Sequence, residues 1–292
     1  MKAAFIGLGI MGKRMAGNLL KNNVSLTVFN RSQEPVDELA GRGATAADSP
    51  AACVRNADVV FTMLSTPDVV DELAFGTEGF VSHMQSGALW IDCSTVDPAF
   101  TRLAAKKAKK GGIRFMDAPV AGSKAPAENG ELVFLAGADK EDLDETKYLL
   151  EFMGKKIIHA GPVSMGTTLK MLVNSLLAQS MLAFAETVLL GEKAGLSREL
   201  LLNLLPNMPV TAPFTAPKAE KIRQNDYQVE FPLEWMHKDL HLVSKVAWEN
   251  DAPQYMANLA KEIYAGAKAH GLGREDFSAI YKYLGEKINK PF

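Results

Sequence analysis

The stretch FIGLGIMGKRM, Phe5–Met15, decides the fold of the first half of this chain. It places three glycines, Gly7, Gly9 and Gly12, between an apolar run and an amphipathic one. A strand, a G-x-G-x-x-G turn and a helix, in this order, hold a dinucleotide pyrophosphate on the helix N-terminus. Gly7 permits the tight turn, Gly9 lets the backbone approach the phosphates, and Gly12 allows the helix to pack on the strand. The pattern predicts a dinucleotide-binding domain; a purely structural glycine turn is the alternative.

Short β-branched runs alternate with helical patterns through the first half of the chain. The segments predicted as strands are AAFIG from Ala3, LTVFN from Leu26, VVFTML from Val59, ALWIDC from Ala88, IRFMDAP from Ile113 and LVFLAG from Leu132. Thr66 and Asp97 each precede a proline, which places a capping side chain before the first helical position. This α/β alternation predicts right-handed crossovers and a Rossmann-type, doubly wound, mostly parallel sheet that helices cover on both faces.

The second half has helical periodicity from Leu169 onward, interrupted mainly by the proline-rich segment Pro206–Pro217. We therefore predict a Rossmann domain over residues 1–162 and an all-α second domain over residues 163–292, joined by a long helix. The apolar stretch that opens this half contains charged and polar residues, among them Lys170. It has no run of about 18 apolar residues, so we interpret it as a buried helix and expect no membrane partner.

Composition narrows the class of protein. The 292 residues include 32 basic and 34 acidic ones, so no basic excess points to a nucleic-acid partner. The two cysteines, Cys53 and Cys93, lie far apart, and the predicted first strand follows Met1 at once. We therefore expect a reduced, cytoplasmic location and no secretion signal. The five histidines show no metal-ligand spacing, so no metal site is predicted.

The choice of cofactor depends on the end of the second predicted strand, where an acidic side chain would bind the adenosine ribose of NAD. In this chain the segment reads FNRSQEP, with Asn30 at the place of the acid, followed by Arg31 and Ser32. A cation and a hydroxyl suit a 2′-phosphate. These residues predict NADP(H) as the cofactor; a solvated surface arginine is the alternative interpretation.

Three further stretches carry polar groups that suit chemistry: DCSTVDP after the fourth predicted strand, DAPVAGSKAPAENG after the fifth, and GTTLKMLVN at the long helix. Ligands bind at the carboxyl ends of the strands in open α/β sheets. The first two stretches place Ser94, Thr95, Ser123 and the Gly122 amide there. In the third, Gly166, Lys170 and Asn174 recur every four residues and so share one helix face.

Five motifs in order resemble the β-hydroxyacid dehydrogenase family: GLGIMG, DCSTVDP, DAPVAGS, GTTLKMLVN and, from His237, HKDLHL. That family includes 3-hydroxyisobutyrate dehydrogenases, tartronate semialdehyde reductases and glyoxylate/succinic semialdehyde reductases, and the resemblance covers essentially the whole chain. The segments GSKAPAENG and FPLEWMHKDL are most similar to the glyoxylate/succinic semialdehyde reductase branch. Ala121 departs from the family pattern, which usually has serine there, so a substrate-carboxylate contact from that hydroxyl is missing.

The resemblance assigns Lys170 as the catalytic residue. Hydride transfer to an aldehyde carbon creates an alkoxide, which needs a proton and nearby positive charge, and a lysine ammonium supplies both. Asn174 is expected to hold that ammonium or to bind the substrate oxygen, and Lys238 with Asp239 to close over the nicotinamide or substrate. Phe231 is a candidate wall of the substrate pocket. Each residue also has a purely structural alternative. Lys170 could extend to solvent, and Asn174 could pack between helices. Lys238 and Asp239 could form a surface ion pair, and Phe231 could belong to the core.

Together these arguments predict an NADPH-dependent reductase of small carboxylate-bearing aldehydes, such as glyoxylate and succinic semialdehyde. A 3-hydroxyisobutyrate or tartronate semialdehyde type of dehydrogenase is the enzymatic alternative, and a nucleotide-binding structural module is the non-enzymatic one. A homo-oligomer, dimer or tetramer, is expected. The predicted cofactor-binding residues are Gly7, Leu8, Gly9, Ile10, Met11, Gly12, Asn30, Arg31, Ser32, Leu64, Ser65, Thr95 and Lys238. The predicted catalytic residues are Lys170 and Asn174, and the predicted substrate-binding residues are Ser94, Thr95, Gly122, Ser123, Lys170, Asn174, Phe231 and Asp239.

Overall fold

A nine-stranded sheet organises the first part of the chain in the computed structural model, which describes residues 1–289. The strands are β1 Lys2–Ile6, β2 Ser25–Phe29, β3 Thr45–Ala46, β4 Val59–Thr62, β5 Leu89–Asp92, β6 Arg114–Asp117, β7 Val120–Ala121, β8 Leu132–Gly137 and β9 Gly154–Gly161. Their order is β3-β2-β1-β4-β5-β6-β8-β7, with β9 beside β8. All pairs from β3 to β6 are parallel, whereas β8 runs antiparallel to β6 and β7. The predicted mostly parallel Rossmann-type sheet is confirmed.

The sequence pattern predicts six of the nine strands. These six are apolar runs, and the pattern does not predict β3, β7 and β9. Two of these have only two residues each, and β9 carries Lys155, Lys156 and His159 on a half-exposed strand. A strand at the margin of a sheet does not need the continuous apolar run by which a buried parallel strand is recognised.

Apolar side chains from both faces of the sheet form the core. On one face Phe5 of β1 stacks against Phe61 of β4 with ring centroids 5.8 Å apart. On the other face Trp90 of β5 makes edge contacts with Phe80 and Phe115, at centroid distances of 5.1 and 4.8 Å. Burial on both faces explains why these strands read as uninterrupted hydrophobic runs.

Helices cross between the strands: α1 Gly12–Lys21, α2 Glu34–Ala40, α3 Pro50–Val54, α4 Pro67–Phe75, α5 Pro98–Lys110, α6 Lys124–Asn129 and α7 Lys140–Glu151. The predicted caps are present. The Thr66 hydroxyl accepts the Val69 N–H at 3.3 Å, and the Asp97 carboxylate accepts the Phe100 N–H at 2.9 Å. Both satisfy backbone donors that the first turn of a helix leaves open.

The rest of the chain is helical: α8 Met165–Lys193, α9 Arg198–Leu204, α10 Thr215–Gln224, α11 Leu233–Glu249, α12 Tyr255–Ala267 and α13 Ile280–Asn289. An isolated bridge between Pro232 and Asp276 is the only β pairing among the described residues after β9. The chain divides into unit 1, Met1–Met171, and unit 2, from Leu172 onward, so the division falls inside α8. The predicted helical second domain and its long helix are confirmed.

Helix α8 is long and apolar enough to cross a membrane by length and composition alone. Half of its most apolar window is buried inside the protein, and core helices of the same length and composition pass the same test. Its hydropathy therefore reflects packing within the protein as readily as contact with lipid.

Candidate functional site

The glycine-rich turn after β1 is closed on one side and open on the other. Gly7 has a φ of +96°, and its N–H donates to the Phe29 carbonyl at 3.0 Å. A Cβ added at Gly7 would lie 2.4 Å from the Met63 carbonyl oxygen, and one at Gly12 would lie 1.9 Å from the Gly7 oxygen. A Cβ at the exposed Gly9 would meet no protein atom within 4 Å. Two glycines are thus required by packing, and the third leaves its outer face open to a ligand.

The start of α1 suits the phosphates of a dinucleotide. Met11 is the N-cap residue and supplies no side-chain acceptor, and the first turn contains no acidic residue. Backbone N–H groups at a helix start without such a cap attract an anion, and the helix dipole adds to that attraction. Ile10 and Met11 are half-buried beside this open face. The residues of the turn therefore fit the pyrophosphate that the sequence predicts.

The end of β2 is tied to the glycine-rich turn by a side chain. The Leu8 N–H donates to Asn30 Oδ1 at 2.9 Å, and Asn30 Nδ2 donates to Ser32 Oγ at 2.8 Å. Leu8 is buried, whereas Arg31 between the two polar residues is exposed. Asn30 thus fixes the turn, and the Arg31 guanidinium is the exposed cation of this segment.

The carboxyl ends of β4 and β5 are linked in the same manner. Ser94, 1% exposed, accepts the Leu64 N–H on its hydroxyl at 2.9 Å. This bond holds the turn after β4, and the predicted contact of Ser94 with substrate stays a prediction. Ser65 and Thr95, which the sequence assigned to cofactor binding, are half-buried at the ends of the same strands.

A buried carboxylate that the sequence analysis did not single out lies at the end of β5. Asp92 Oδ1 accepts the Thr62 hydroxyl at 2.8 Å and the Ser94 N–H at 3.0 Å, and Thr62 in turn accepts the Trp90 indole N–H. Burial raises the pKa of Asp92 to about 6, although hydrogen bonds from Ser94 and Thr62 oppose that shift. The negative charge of Asp117 raises the pKa of Asp92 further, because the two residues are paired in the register of β5 and β6.

A second buried carboxylate fixes the start of α8. Asp117, 1% exposed at the end of β6, accepts the Ser164 N–H and the Thr167 N–H, each at 2.6 Å. Burial raises the pKa of Asp117, and the hydrogen bonds from these two residues counteract that rise. Lys170 follows Thr167 by one helical turn and is half-buried. The sequence predicts that Lys170 belongs to the helical domain; in the structure the anchored start of α8, with Lys170, lies within unit 1.

The segment predicted to bind the substrate carboxylate lies between β7 and α6. Gly122 is exposed, and Ser123 is half-buried at the N-cap of α6 without making a side-chain cap bond. Asn18 of α1 donates its amide N–H to the Ala127 carbonyl at 2.8 Å, which fixes α6 to α1. Ala121 lies in β7 and contributes no polar group. The Ser123 hydroxyl and nearby backbone amides are the polar groups that this segment offers.

In unit 2 the structure brings together three predicted site residues. Asn174 is 2% exposed, and its Nδ2 donates to Asp239 Oδ2 at 2.5 Å. The Lys238 ammonium lies 2.7 Å from the other oxygen of Asp239. The side chains of Lys238 and Asp239 are only 16% and 2% exposed, so this is not a solvated surface pair. Asn174 Oδ1 is buried without a hydrogen-bond partner among the described residues, and it is an acceptor available to a donor group.

Phe231 belongs to an aromatic cluster in unit 2. Its ring lies 5.8 Å from that of Phe277, and its N–H donates to Asp276 Oδ2 at 3.2 Å. The same carboxylate accepts the ammonium of Lys218, which is 5% exposed, at 3.0 Å. No sequence motif points to Lys218 or Asp276. The predicted role of Phe231 as a pocket wall stays a prediction.

The described residues contain no group of three or more His, Cys, Asp or Glu side chains that could hold a metal ion. The predicted site residues carry a lysine ammonium and amide or hydroxyl groups. Lys170 and Asn174 lie one turn apart on the same helix, so they lie on one face of α8. An ammonium can donate a proton to a developing oxyanion, and the adjacent amide can orient it.

Two family models match consecutive parts of the chain. One is described as the NAD binding domain of 6-phosphogluconate dehydrogenase and matches residues 2–161. The other is described as NAD-binding of NADP-dependent 3-hydroxyisobutyrate dehydrogenase and matches residues 164–284. A nicotinamide cofactor is therefore supported for both parts of the chain.

Individual relatives match over nearly the whole chain. Glyoxylate/succinic semialdehyde reductase 2, chloroplastic, of Arabidopsis thaliana is 37% identical over 280 residues, which cover 96% of this chain and 78% of that protein. Glyoxylate/succinic semialdehyde reductase 1 of the same organism is 38% identical over 281 residues, which cover 96% of this chain and 97% of that protein. The solved structure of Mycobacterium tuberculosis 3-hydroxyisobutyrate dehydrogenase with L-serine has a TM-score of 0.84 at 31% sequence identity. The match covers 97% of this chain and 98% of that one.

Proposed function

This chain belongs to the β-hydroxyacid dehydrogenase family, of the 3-hydroxyisobutyrate dehydrogenase type, and we propose that it uses NADPH to reduce small aldehydes that carry a carboxylate. Family membership makes it an NAD(P)-dependent oxidoreductase that acts on CH–OH groups. The proposed reactions are glyoxylate to glycolate and succinic semialdehyde to 4-hydroxybutyrate. Two matching relatives carry these activities in their names, which supports this branch of the family.

The proposal is supported above all by the first turn of α8, which Asp117 holds in place. Lys170 is half-buried there, one turn after a backbone N–H held by a buried carboxylate. Asn174 follows by one turn and keeps a buried oxygen to which no group within residues 1–289 donates a hydrogen bond. When bound, NADPH supplies the hydride. Lys170 donates the proton to the substrate oxygen, and Asn174 holds the ammonium or the product hydroxyl.

The substrate carboxylate is assigned to Ser123 and the amide region of Gly122. Both residues follow β7, and neither the Ser123 hydroxyl nor the exposed Gly122 is used to cap α6. Lys238 is a further cation for that carboxylate. Its pairing with Asp239 at 2.7 Å reduces the net charge that it offers, so the Ser123 region carries the larger part.

NADP(H) is proposed over NAD(H) because of the segment after β2. It contains no carboxylate at position 30 that would repel a 2′-phosphate, and it exposes the Arg31 guanidinium. We also propose a cytoplasmic location, supported by Cys53 and Cys93, both free and buried. A homo-oligomer is proposed from the exposed leucines of α8 in unit 2.

Oxidation of a 3-hydroxy acid such as 3-hydroxyisobutyrate, or a tartronate semialdehyde type of reaction, is the second candidate. The match of residues 164–284 to a model of NADP-dependent 3-hydroxyisobutyrate dehydrogenase favours it. A nucleotide-binding structural module is the non-enzymatic alternative. The presence of Lys170 argues against that alternative, because an ammonium is the group that the reduction requires.

A substrate panel separates the enzymatic candidates. We expect kcat/KM for NADPH with glyoxylate or succinic semialdehyde to exceed that for NAD with 3-hydroxyisobutyrate by at least about 10-fold, since pocket contacts of one or two groups give discrimination of this size. Turnover with the second pair alone would contradict the proposed substrates and support the second candidate.

Lys170→Ala tests the proposed proton donor. We expect kcat to fall by about 100- to 10,000-fold, the usual contribution of general acid catalysis, while NADPH affinity measured by fluorescence titration stays within about twofold. Lys193→Ala is the matched control, because Lys193 is an exposed lysine in the last turn of the same helix. A fully active Lys170→Ala variant would remove Lys170 from the reaction.

A further inference from the structure

We propose that Asp117 is a positioning residue: by holding the first turn of α8 against the end of β6, it fixes the Lys170 ammonium in its reacting position. The inference rests on the proposed role of Lys170. Asp117 is 1% exposed, so its carboxylate is enclosed by the protein and acts through other residues. Its contacts show which residues those are.

Both oxygens of Asp117 are engaged with the turn that begins α8. One accepts the Ser164 N–H and the other the Thr167 N–H, each at 2.6 Å. Hydrogen bonds from a backbone N–H to a carboxylate are shorter and roughly twice as strong as neutral ones. Two such bonds fix both the position and the rotation of the first turn.

The space around this carboxylate exists only because two neighbours have no side chain. A Cβ at Gly137 would lie 2.5 Å from Asp117 Oδ1, and one at Gly166 would lie 3.0 Å from Oδ2 and 2.1 Å from the Leu135 carbonyl oxygen. The helix start therefore lies against β8 as well as against the end of β6. This close approach leaves the first turn of α8 little room to shift.

The chain enters α8 through a strained residue. Ser164 has a φ of +83°, a left-handed conformation that is unfavourable for a residue with a Cβ and persists only where its surroundings impose it. Its N–H is one of the two donors to Asp117. The carboxylate therefore stabilises the strained turn as well as the helix. Thr101 of α5 adds a weaker bond, from its hydroxyl to that of Thr167 at 3.2 Å.

Lys170 lies three residues beyond Thr167, about 4.5 Å further along the helix axis. A small shift or rotation of the first turn is therefore passed to the lysine with little attenuation. Misplacement of a reacting group by about 1 Å can cost about 100-fold in rate. Asparagine at position 117 can accept a hydrogen bond from only one of the two N–H groups, because its amide has a single acceptor oxygen. Its NH2 group is itself a donor and cannot bond to the second N–H.

Asp117→Asn, assayed in the full chain with NADPH and the best substrate of the panel, is the first test. We expect kcat to fall by about 10- to 100-fold, KM for NADPH to stay within about twofold, and amide hydrogen exchange at Ser164 and Thr167 to accelerate. Asp97→Asn is the matched control, because Asp97 is an equally buried capping aspartate on α5, which carries no catalytic residue. We expect its kcat to stay within about twofold of the parent.

The same substitution in the Lys170→Ala background separates positioning from general damage to the fold. If Asp117 acts through Lys170, Asp117→Asn will not lower the residual single-turnover rate any further. An equal fold-loss in both backgrounds, or an unchanged kcat in the single variant, would overturn the inference. Should Asp117→Asn fail to fold, Thr101→Val loosens the same turn more gently, and we expect faster exchange with kcat about threefold lower. Faster exchange with unchanged kcat in that variant would equally overturn it.

Failure of the proposed function has a different signature. Full activity of Lys170→Ala would contradict the role of Lys170 and with it the catalytic consequence of Asp117. Unchanged exchange at Ser164 and Thr167 in Asp117→Asn would contradict the anchorage alone and leave the role of Lys170 intact.

Discussion

At the end of β2, three consecutive residues have different roles: Asn30 and Ser32 hydrogen bond within the protein, whereas Arg31 is available to a ligand. The Asn30 amide holds the Leu8 N–H at one end and Ser32 at the other, so it closes the glycine-rich turn without bringing a negative charge there. Arg31 is left exposed between them. A cation beside an uncharged amide favours a 2′-phosphate, whereas a carboxylate would favour the free ribose hydroxyl.

Arg31→Asp should therefore change the cofactor preference. We expect the ratio of kcat/KM for NADPH to that for NADH to fall by about 10- to 100-fold, because one charge-assisted hydrogen bond to the phosphate is lost and a repulsive charge is gained. Arg55→Asp is the control, since Arg55 is an exposed arginine after α3 and outside the predicted cofactor-binding segments. An unchanged NADPH preference in Arg31→Asp would contradict the assignment.

Single residues show where sequence patterns stop being informative. The motifs DCSTVDP and DAPVAGS indicate that polar groups follow two strands, but they do not show what those groups bind. Asp117 pairs with N–H groups 47 and 50 residues away, and Ser94 with one 30 residues away. Such pairings depend on how distant segments fold together. The sequence predicts the hydroxyl of Ser94 as a substrate contact, which stays a prediction, but it gives no sign that the same hydroxyl accepts the Leu64 N–H.

At the scale of elements, β5 and β6 place two buried carboxylates side by side. Asp92 and Asp117 occupy paired register positions at the carboxyl ends of their strands. Burial of a carboxylate is unfavourable unless hydrogen bonds compensate it, and both receive such bonds. The ends of β5 and β6 thus keep two carboxylates buried because neighbouring groups donate hydrogen bonds to both.

The Asp92 carboxyl should make stability depend on pH. Burial raises the pKa of Asp92 to about 6, so the folded state keeps a proton that the unfolded chain releases near pH 4. The stabilisation from that proton is complete below about pH 4 and is lost as the pH rises through about 6. Asp92→Asn does not titrate, and it should gain up to about 3 kcal/mol relative to the parent between pH 4 and pH 7.5.

Urea unfolding at these two pH values measures that difference. Thr62→Val is the control, because it removes the hydroxyl that donates to Asp92 but keeps the titrating carboxyl. We expect Thr62→Val to lose stability and to retain the pH dependence. If Asp92→Asn and the parent differ by the same free energy at both pH values, the raised pKa is wrong.

Elements differ in how strongly their sequence specifies them. The buried parallel strands and the capped helices were predictable, because continuous apolar runs and Thr-Pro or Asp-Pro pairs have local causes. Strand β9 was not, since its lysines fit a solvent-exposed segment and only its pairing with β8 makes it a strand. Tertiary hydrogen bonding, rather than local propensity, decides such a strand.

At the scale of the whole molecule, helix α8 of unit 2 keeps several large apolar side chains exposed. Three leucines along α8, Leu172, Leu176 and Leu190, are 58%, 68% and 71% exposed. The sequence predicted a buried helix, but half of its most apolar window is not buried within the chain. Leu172 and Leu176 lie one turn apart on the same helix face, and exposed apolar side chains that are grouped in this way mark interaction sites. A second copy of the chain is the occupant that the proposed homo-oligomer requires, with each copy contributing the same face.

Leu176→Asp tests that assembly. In a twofold interface the substitution appears twice, and each buried unpaired carboxylate opposes association, so we expect the dissociation constant to rise at least about 100-fold. Sedimentation velocity across a concentration series measures the change. Leu103→Asp is the control, because Leu103 is a 48% exposed leucine on α5 in unit 1, where no interface is proposed. An oligomer that persists in Leu176→Asp, or a parent protein that sediments as a monomer, would show that α8 is not the contact between copies.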